Sequence, residues 1–297
     1  MTKKMILARR QLLHLGAASI SAAGLAAISA CATPASNGAG ISGESNMKFK
    51  LVETMKQRGH AILGMVDSPP SSWVQADGSA TGYNVEIAKR LLAKYDIHKI
   101  EPFSAEFAGM IPGLQAGRMD ICIAGMLITD ARCETLAMSA ATNAMSFSLL
   151  TKDGNPDALK TIADVKKSGA KLAVEGATAQ ERIVRAELED SQVVIVGDRQ
   201  GGADAVRIGR ANAYVLPVSS AKQVVQAPGA PLTIVERVAD MPVIGSALAM
   251  RTQDADFANA FREDFKEMVA SGEYAEIMKK FDSDPTTLDL PGVQLTC

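Results

Sequence analysis

Residues 106–133 read EFAGMIPGLQAGRMDICIAGMLITDARC, and the order of segments in this stretch indicates the class of fold. A helix-like apolar stripe that ends at Gly117 comes first, followed by a short buried-strand pattern at residues 120–124. A Thr-Asp pair then precedes Arg132. The stretch therefore predicts a sheet edge that presents a guanidinium group to a small anionic group.

Strand-like and helix-like segments alternate on both sides of this stretch. Before it, residues 60–66 and 100–103 have strand patterns, and residues 84–95 have apolar residues at helical spacing. A second series of the same kind covers residues 148–216. This β-α-β-α-β alternation predicts an α/β protein with two lobes, each a mostly parallel sheet flanked by helices.

The chain returns to the first lobe near its C-terminal end. Residues 243–250 form an apolar strand pattern, and residues 256–280 carry a helical stripe that faces a core. That stripe consists of Phe257, Phe261, Phe265 and Met268. We therefore expect lobe 1 at residues 47–147 and 245–297 and lobe 2 at residues 148–244, joined by two hinge strands.

The first residues have the pattern of an export signal. Residues 1–30 combine two basic pairs with an Ala/Leu-rich apolar run, and the Sec and twin-arginine routes both remain open. The end of the run at Cys31 resembles a bacterial lipobox, which predicts lipidation of this cysteine; the alternative is a cysteine incidental to an ordinary cleavage site. Residues 31–46 would then be a flexible tether. This predicts a membrane-anchored lipoprotein in the periplasm or on the outer cell surface.

Composition and charge exclude several classes of protein. The formal net charge is −2, and removing the four cations of the export signal makes the remainder more acidic, so nucleic acid is not an expected partner. Aromatic residues make up only 4% of the chain, which disfavours a stacking platform for bases. A transmembrane sensor is also disfavoured, because the one long hydrophobic run is N-terminal. We expect a monomer.

The four cysteines indicate one disulfide. If Cys31 is lipidated, three cysteines remain, and Cys122 lies inside an apolar run where it suits a buried position. This leaves Cys133 and Cys297 as the expected pair, with two free thiols as the alternative. No cysteine or histidine lies at metal-ligand spacing from another, and no phosphate-binding glycine loop occurs, so we expect no metal and no cofactor.

Five motifs, in order, carry a family resemblance. The run MIPGLQAGRMD with the following TDAR resembles the signature of family-3 solute-binding proteins, which serve ABC transporters for polar amino acids and related solutes. Within this family the pattern is similar to ectoine- and hydroxyectoine-binding proteins. The resemblance implies a two-lobed periplasmic-binding-protein fold of type II that closes by hinge motion on a solute and delivers it to a permease. The other motifs are residues 82–88, 174–178 and 209–214.

The resemblance also implies which residues contact the solute. Arg132 occupies the family's carboxylate-binding position, where a guanidinium can form two parallel hydrogen bonds; the alternative is a surface arginine paired with Asp130 or Glu134. Thr178 begins a predicted helix and suits an anion, and a simple N-cap is compatible with that role.

Six further residues are candidates for ligand contact. Phe107 and Trp73 would line the cleft unless they belong to the core, and Asp67 ends a strand at the carboxyl edge of a sheet, where ligands collect. Ser68 and Leu127 replace the acidic residue and one aromatic residue that the resemblance to ectoine binders implies. Met126 lies next to the end of the buried strand at residues 120–124 and is a candidate for ligand contact there; the alternative is a core residue. Pro217 stands where amino-acid binders have the carboxylate that pairs with the ammonium group.

Together these features predict high-affinity binding of a small carboxylate-bearing solute outside the cytoplasm. The solute would be ectoine-like or an amino-acid derivative, with polar amino acids and opines as the alternative. The same two-lobed scaffold also supports a cyclohexadienyl dehydratase, which makes an enzyme a further alternative. We expect no enzyme, because neither His60 nor His98 has a recognisable Ser or Cys partner.

Overall fold

The computed structural model describes residues 49–226, 228–229 and 231–297, which build two sheets of five strands and one small hairpin. The predicted export signal at residues 1–30 and the predicted tether at residues 31–46 lie outside the described residues. The same is true of Cys31, the predicted lipidation site.

The first part of the chain extends from the first described helix to the first crossing between the sheets. Its elements are α1 (Lys50–Arg58), β1 (Ala61–Met65), β2 (Trp73–Val74), β3 (Ala80–Thr81), α2 (Tyr83–Ala93), β4 (Ile100–Ser104), α3 (Met110–Gln115), β5 (Ile121–Leu127), α4 (Asp130–Cys133) and β6 (Leu136–Met145).

The second part of the chain builds the second sheet and then returns. Its elements are β7 (Phe147–Lys152), α5 (Ile162–Ser168), β8 (Leu172–Glu175), α6 (Ala179–Glu187), β9 (Val193–Val196), α7 (Arg199–Arg207), β10 (Ala213–Pro217), α8 (Val218–Val224) and β11 (Leu232–Val235). The returning elements are β12 (Ile244–Arg251), α9 (Ala255–Ala270) and α10 (Glu273–Lys280). Short 3-10 helices add Phe107–Gly109, Asp190–Gln192, Thr252–Asp254 and Pro285–Asp289.

The strand orders are β4-β1-β5-β12-β6 in the first sheet and β11-β7-β10-β8-β9 in the second. We call each sheet with its helices the first and the second lobe. The chain passes between the lobes twice, from β6 to β7 and from β11 to β12. The prediction of a two-lobed α/β protein is confirmed.

Both sheets are mixed, whereas the sequence pattern predicted mostly parallel sheets. Strand β1 is parallel to β4 and β5, but β12 is antiparallel to β5 and β6. In the second sheet β8 is parallel to β9 and β10, but β7 is antiparallel to β10 and β11. The β-α-β units give the parallel pairs, and the strands that enter from the other lobe without a crossover helix give the antiparallel ones.

Apolar side chains are buried on both faces of each sheet. The predicted stripe of Phe257, Phe261, Phe265 and Met268 is confirmed, because all four side chains are buried against the first sheet. The helical segment that carries it is divided at Gly272, whose φ of +84° is the left-handed conformation that glycine adopts most easily. Two helices, α9 and α10, therefore replace the single predicted segment.

Strand β5 lies at the centre of residues 106–133. Every residue of β5 is buried, as expected for a central strand with helices on both faces. Gly125 interrupts its regular conformation with a φ of +68°, and the pairing with β12 shifts register in the same region. The carboxyl end of β5 then leads through Thr129 into α4, which carries Arg132.

The C-terminal tail packs across the first lobe. The carbonyl of Leu295 accepts a hydrogen bond from the backbone N–H of Ala141 in β6, with an N to O distance of 2.7 Å. Gly245 in β12 leaves space for the carbonyl of Gln294 that any larger residue would take. Cys297 forms a disulfide with Cys133 in α4, with their Cα atoms 5.5 Å apart, and Cys122 is a buried free thiol.

Candidate functional site

The carboxyl ends of strands from both lobes surround a cavity of about 300 Å³. The first lobe contributes the ends of β1 and β4, and the second lobe contributes the ends of β8 and β9. Loops that follow parallel strands meet at this edge of a sheet, which is where open α/β folds bind ligands. The lining residues are Val66, Asp67, Ser104, Ala105, Glu106, Phe107, Glu175, Asp198 and Arg199.

Arg132 lies beside this cavity and is only 5% exposed. Its Nη1 donates to the carbonyl of Leu127 at 3.1 Å, and its Nη2 donates to the carbonyl of Ala177 in the second lobe at 3.4 Å. The guanidinium carbon lies 5.3 Å from the centre of the Phe107 ring. Burial, reinforced by the charge of Arg182, lowers the pKa of Arg132 to about 10.

The charge of Arg132 has no carboxylate within ion-pair distance in the part of the chain that the structure describes. The structure therefore does not contain the alternative arrangement, a surface ion pair between Arg132 and Asp130 or Glu134. A buried guanidinium without a counter-ion is costly, and an anionic ligand can offset that cost.

Thr178 is the N-cap residue of α6. Its Oγ1 donates to the carbonyl of Glu175 at 2.7 Å and accepts from the backbone N–H of Glu181 at 3.1 Å. The hydroxyl is thus used for capping, which was the simpler of the two compatible interpretations. Thr178 directly follows Ala177, whose carbonyl accepts a hydrogen bond from Arg132. The start of α6 therefore lies next to the guanidinium.

Asp67 and Ser68 meet an arginine from the second lobe. Arg199 donates from Nη1 to the carbonyl of Asp67 at 3.1 Å and from Nη2 to Oγ of Ser68 at 2.8 Å. Arg182 also bridges the lobes, since it donates to Oγ1 of Thr129 at 2.9 Å. Arginine side chains therefore connect the lobes around the cavity in this structure.

The remaining three candidates do not line the same cavity. Trp73 packs edge-on against Phe281 with ring centres 6.0 Å apart, and both line a larger cavity of about 640 Å³ that Pro217 also borders. The loop from Ser68 folds back on itself through a bridge to Ser72, and Trp73 then begins the β2–β3 hairpin. Met126 and Leu127 are 0% and 2% exposed in the core, and Leu127 contributes only its carbonyl, which positions Arg132.

Sequence reasoning did not select Glu175, Asp198 or Arg199 as site residues. Glu175 ends β8 and could have been found by the same rule that selected Asp67 at the end of β1. Asp198 caps α7 through the backbone N–H of Gly201, and Arg199 begins that helix. Asp198 and Arg199 closely follow strand β9, and this position at the carboxyl end of a strand is the sequence signal that could have identified them.

Glu175 is a carboxyl group of the cavity whose pKa is raised. Burial raises its pKa to about 7; the charge of Arg199 lowers the pKa, and those of Asp198 and Glu106 raise it. The group is therefore partly protonated near neutral pH.

We expect the free energy of unfolding to decrease as the pH rises from about 4.5 to 7. The folded state keeps the proton on Glu175 in this window, whereas the unfolded state, with the ordinary pKa of 4.5, releases it. Urea unfolding at several pH values measures this, and Glu175→Gln should remove this contribution. The matched control is Glu189→Gln, an exposed glutamate of the same lobe. Parallel pH profiles for wild type and Glu175→Gln would contradict the assignment.

The described residues contain no group of His, Cys, Asp and Glu suited to a metal ion. Within that same part of the chain, no helix combines the length and apolar character needed to cross a membrane.

Residues 62–283 match the family of bacterial extracellular solute-binding proteins, family 3. The match covers most of the chain, and the protein therefore belongs to this family.

Several relatives are named as binding proteins for transport. The chain is 30% identical to a probable amino-acid ABC transporter periplasmic-binding protein, y4tE of Sinorhizobium fredii, over 57% of each chain. It is 26% identical to the L-cystine-binding protein TcyJ of Escherichia coli, over 84% of this chain and 92% of that one.

Solved structures show the same two-lobed fold. EhuB in complex with hydroxyectoine superposes with a TM-score of 0.75 and 28% identity, over 80% of this chain and 95% of that one. The ancestral amino acid-binding protein AncCDT-1, a precursor of cyclohexadienyl dehydratase, has a TM-score of 0.68 and 25% identity, over 77% of this chain and 98% of that one.

Proposed function

We propose that the protein binds a small carboxylate-bearing solute between its lobes and delivers it to the permease subunits of an ABC transporter. The observation that carries this proposal is the buried guanidinium of Arg132 beside the cavity. Arginine presents parallel N–H donors that match a carboxylate, so a ligand carboxylate supplies the missing negative charge and accepts from the N–H groups that do not donate to Leu127 and Ala177.

The neighbouring groups suit the same role. Phe107 lines the cavity and stacks on Arg132, which fixes the guanidinium and offers an apolar surface to the solute. The start of α6 at Thr178 adds the positive end of a helix dipole near the anion. An anionic group placed here contacts both lobes, which favours the closed arrangement.

The proposed function requires a location outside the cytoplasm. Family membership and the names of the relatives support export to the periplasm or the outer cell surface. We propose lipidation at Cys31 as the anchor, residues 31–46 as the tether, and a monomer whose lobes comprise residues 47–147 with 245–297 and residues 148–244.

The relatives suggest the class of solute. TcyJ is an L-cystine-binding protein and EhuB was solved with hydroxyectoine, and both compounds carry a carboxylate. We propose an amino-acid derivative or an ectoine-like compound, with a polar amino acid or an opine as the alternative. The ectoine-like choice is weakened because Ser68 is bonded to Arg199 and the side chain of Leu127 is in the core.

A thermal-shift screen tests the proposal. The purified protein is heated with ectoine, hydroxyectoine, L-cystine, L-arginine, L-glutamine, glycine betaine and octopine. A ligand present at 100 times its Kd should raise the melting temperature by about 5–10 °C, because it binds only the folded state. The decarboxylated analogue of each active compound is the control. A solute that shifts the melting temperature equally without its carboxylate would contradict the proposal.

One observation favours the dehydratase alternative. Glu175 is a carboxyl group with a pKa of about 7 in the cavity, and such a group can donate a proton to a leaving hydroxyl while the carboxylate of Glu106 accepts the proton lost from the adjacent carbon. Incubating the protein with each active solute and analysing the mixture by mass spectrometry separates the two functions. We expect the solute to be recovered intact, and loss of water from it would establish catalysis.

A further inference from the structure

We infer that the Cys133–Cys297 disulfide is a redox-sensitive control of solute affinity, because it holds the helical turn that carries Arg132. With the bridge intact the protein binds the solute tightly, and with the bridge reduced it binds the solute weakly. The inference rests on the proposed function, since Arg132 must hold the solute. Its structural step, the loosening of the turn, is measurable without any solute.

Helix α4 is too short to keep its own conformation. It comprises the four residues Asp130–Cys133, and isolated helices of fewer than about 12 residues are marginal in water. Its N-cap residue, Thr129, makes no side-chain capping hydrogen bond. Contacts with the rest of the protein must therefore hold this turn, and the position of Arg132 depends on them.

The contacts that the second lobe makes with this turn depend on the lobes being together. Arg182 donates to Oγ1 of Thr129 at 2.9 Å, and Arg132 itself donates to the carbonyl of Ala177 at 3.4 Å. Both contacts are lost when the lobes separate to admit a solute. In the open state α4 must therefore be held from the first lobe.

The disulfide holds the C-terminal end of this turn from the first lobe. Cys133 directly follows Arg132, and it packs partly buried against an apolar cluster of that lobe. Its partner Cys297 belongs to a tail that is hydrogen-bonded to β6, where the N–H of Ala141 donates to the carbonyl of Leu295 at 2.7 Å. The bridge therefore ties α4 to the first sheet through the tail.

The tail that anchors the bridge is itself fixed at several points. Oγ1 of Thr287 donates to Oδ1 of Asn143 at 2.7 Å and accepts from the backbone N–H of Ala144 at 3.4 Å. Nearer the bridge, Gly245 in β12 leaves space for the carbonyl of Gln294. Because the tail is held along β6 and β12, the disulfide restrains α4 against a packed surface and not against a loose end.

The bridge is accessible to a thiol. Cys297 is exposed, whereas Cys122 is a buried free thiol. One thiolate of a dithiol reductant attacks Sγ of Cys297, which breaks the S–S bond, forms a mixed disulfide and releases Cys133 as a thiolate that takes up a proton. The second thiol then displaces Cys297, so two electrons and two protons pass to the bridge and the reductant becomes a disulfide. Exposed disulfides are the kind that such reductants open.

Hydrogen exchange of the solute-free protein tests the structural step. Reduction with a phosphine should increase the exchange rates of the amides of Arg132, Cys133 and Ala141 by about 10-fold or more. The first two amides donate to the carbonyl of Thr129 and the third to that of Leu295. The amides of β8 in the second lobe are the control and should be unaffected. Unchanged exchange in α4, or an equal increase in β8, would overturn the inference.

Calorimetric titration with the tightest-binding compound of the thermal-shift screen tests the effect on affinity. We expect reduction to weaken binding by about 10-fold or more, because the turn and the Arg132 side chain must then be ordered during binding. Reoxidation should restore the affinity. In Arg132→Ala the remaining affinity should change by less than about 2-fold on reduction, since the bridge acts through Arg132.

The double variant Cys133→Ser and Cys297→Ser is the control for the reductant. It should show the affinity of reduced wild type, with and without the phosphine. An affinity that reduction leaves unchanged in wild type would overturn the inference while the proposed function stands. Equal weakening of wild type and Arg132→Ala would also overturn it. If the oxidised protein bound none of the compounds, the proposed function and the control of affinity would both be wrong.

Discussion

Replacing Arg132 with alanine is expected to reduce the affinity for the carboxylate-bearing solute by roughly 30-fold to several thousand-fold, which corresponds to about 2–5 kcal/mol. The substitution removes the two parallel donors and the positive charge while the lobe that carries them stays intact. Calorimetric titration with the tightest-binding compound of the thermal-shift screen measures the loss.

The stability of the ligand-free protein should change little in Arg132→Ala. Two hydrogen bonds, to Leu127 and Ala177, are lost, but the cost of burying an uncompensated guanidinium is also removed. Arg118→Ala, an exposed arginine of the same lobe, is the matched control and should bind as wild type does. Arg132→Lys keeps the charge without the planar pair of donors, so an intermediate affinity is expected. An unaltered affinity in Arg132→Ala would overturn the proposed site.

Removing the disulfide by the double substitution Cys133→Ser and Cys297→Ser should lower the free energy of unfolding by about 2–5 kcal/mol. The bridge joins residues 164 positions apart, so its loss increases the freedom of the unfolded chain. The C-terminal tail should also lose its contact with Ala141. A decrease of roughly 5–15 °C in the melting temperature is the expected result.

Reduction provides the control for this prediction. Treating wild type with a phosphine reductant should reproduce the lower melting temperature, and the same treatment should leave the double variant unaffected. Mass spectrometry of a non-reduced digest should show the peptides of Cys133 and Cys297 linked. Separate peptides would show that the bridge is absent in the isolated protein.

The local elements and the position proposed for the solute's carboxylate could be predicted from the sequence. The apolar run of β5 and the phenylalanine spacing of α9 reflect burial on a fixed period, which a single chain segment records. Arg132 and Phe107 lie in a contiguous motif, and the structure brings them into contact.

The other end of the cavity depends on how the lobes meet. Arg199 contacts Ser68 across 131 positions of sequence, and no local pattern encodes that approach. Trp73 shows the same dependence, because its proximity in sequence to Asp67 does not indicate that it packs against Phe281 and lines the larger cavity. Residues that act through long-range packing therefore need the structure.

The C-terminal tail restrains the end of residues 106–133, where Arg132 lies. The last residue is tied to α4 directly beside Arg132, and the preceding residues brace β6 and β12, the strands next to both crossings. The tail thus links the two strands beside the crossings to the helix that carries Arg132. We expect this linkage to keep Arg132 in the same position relative to the first sheet when the lobes move.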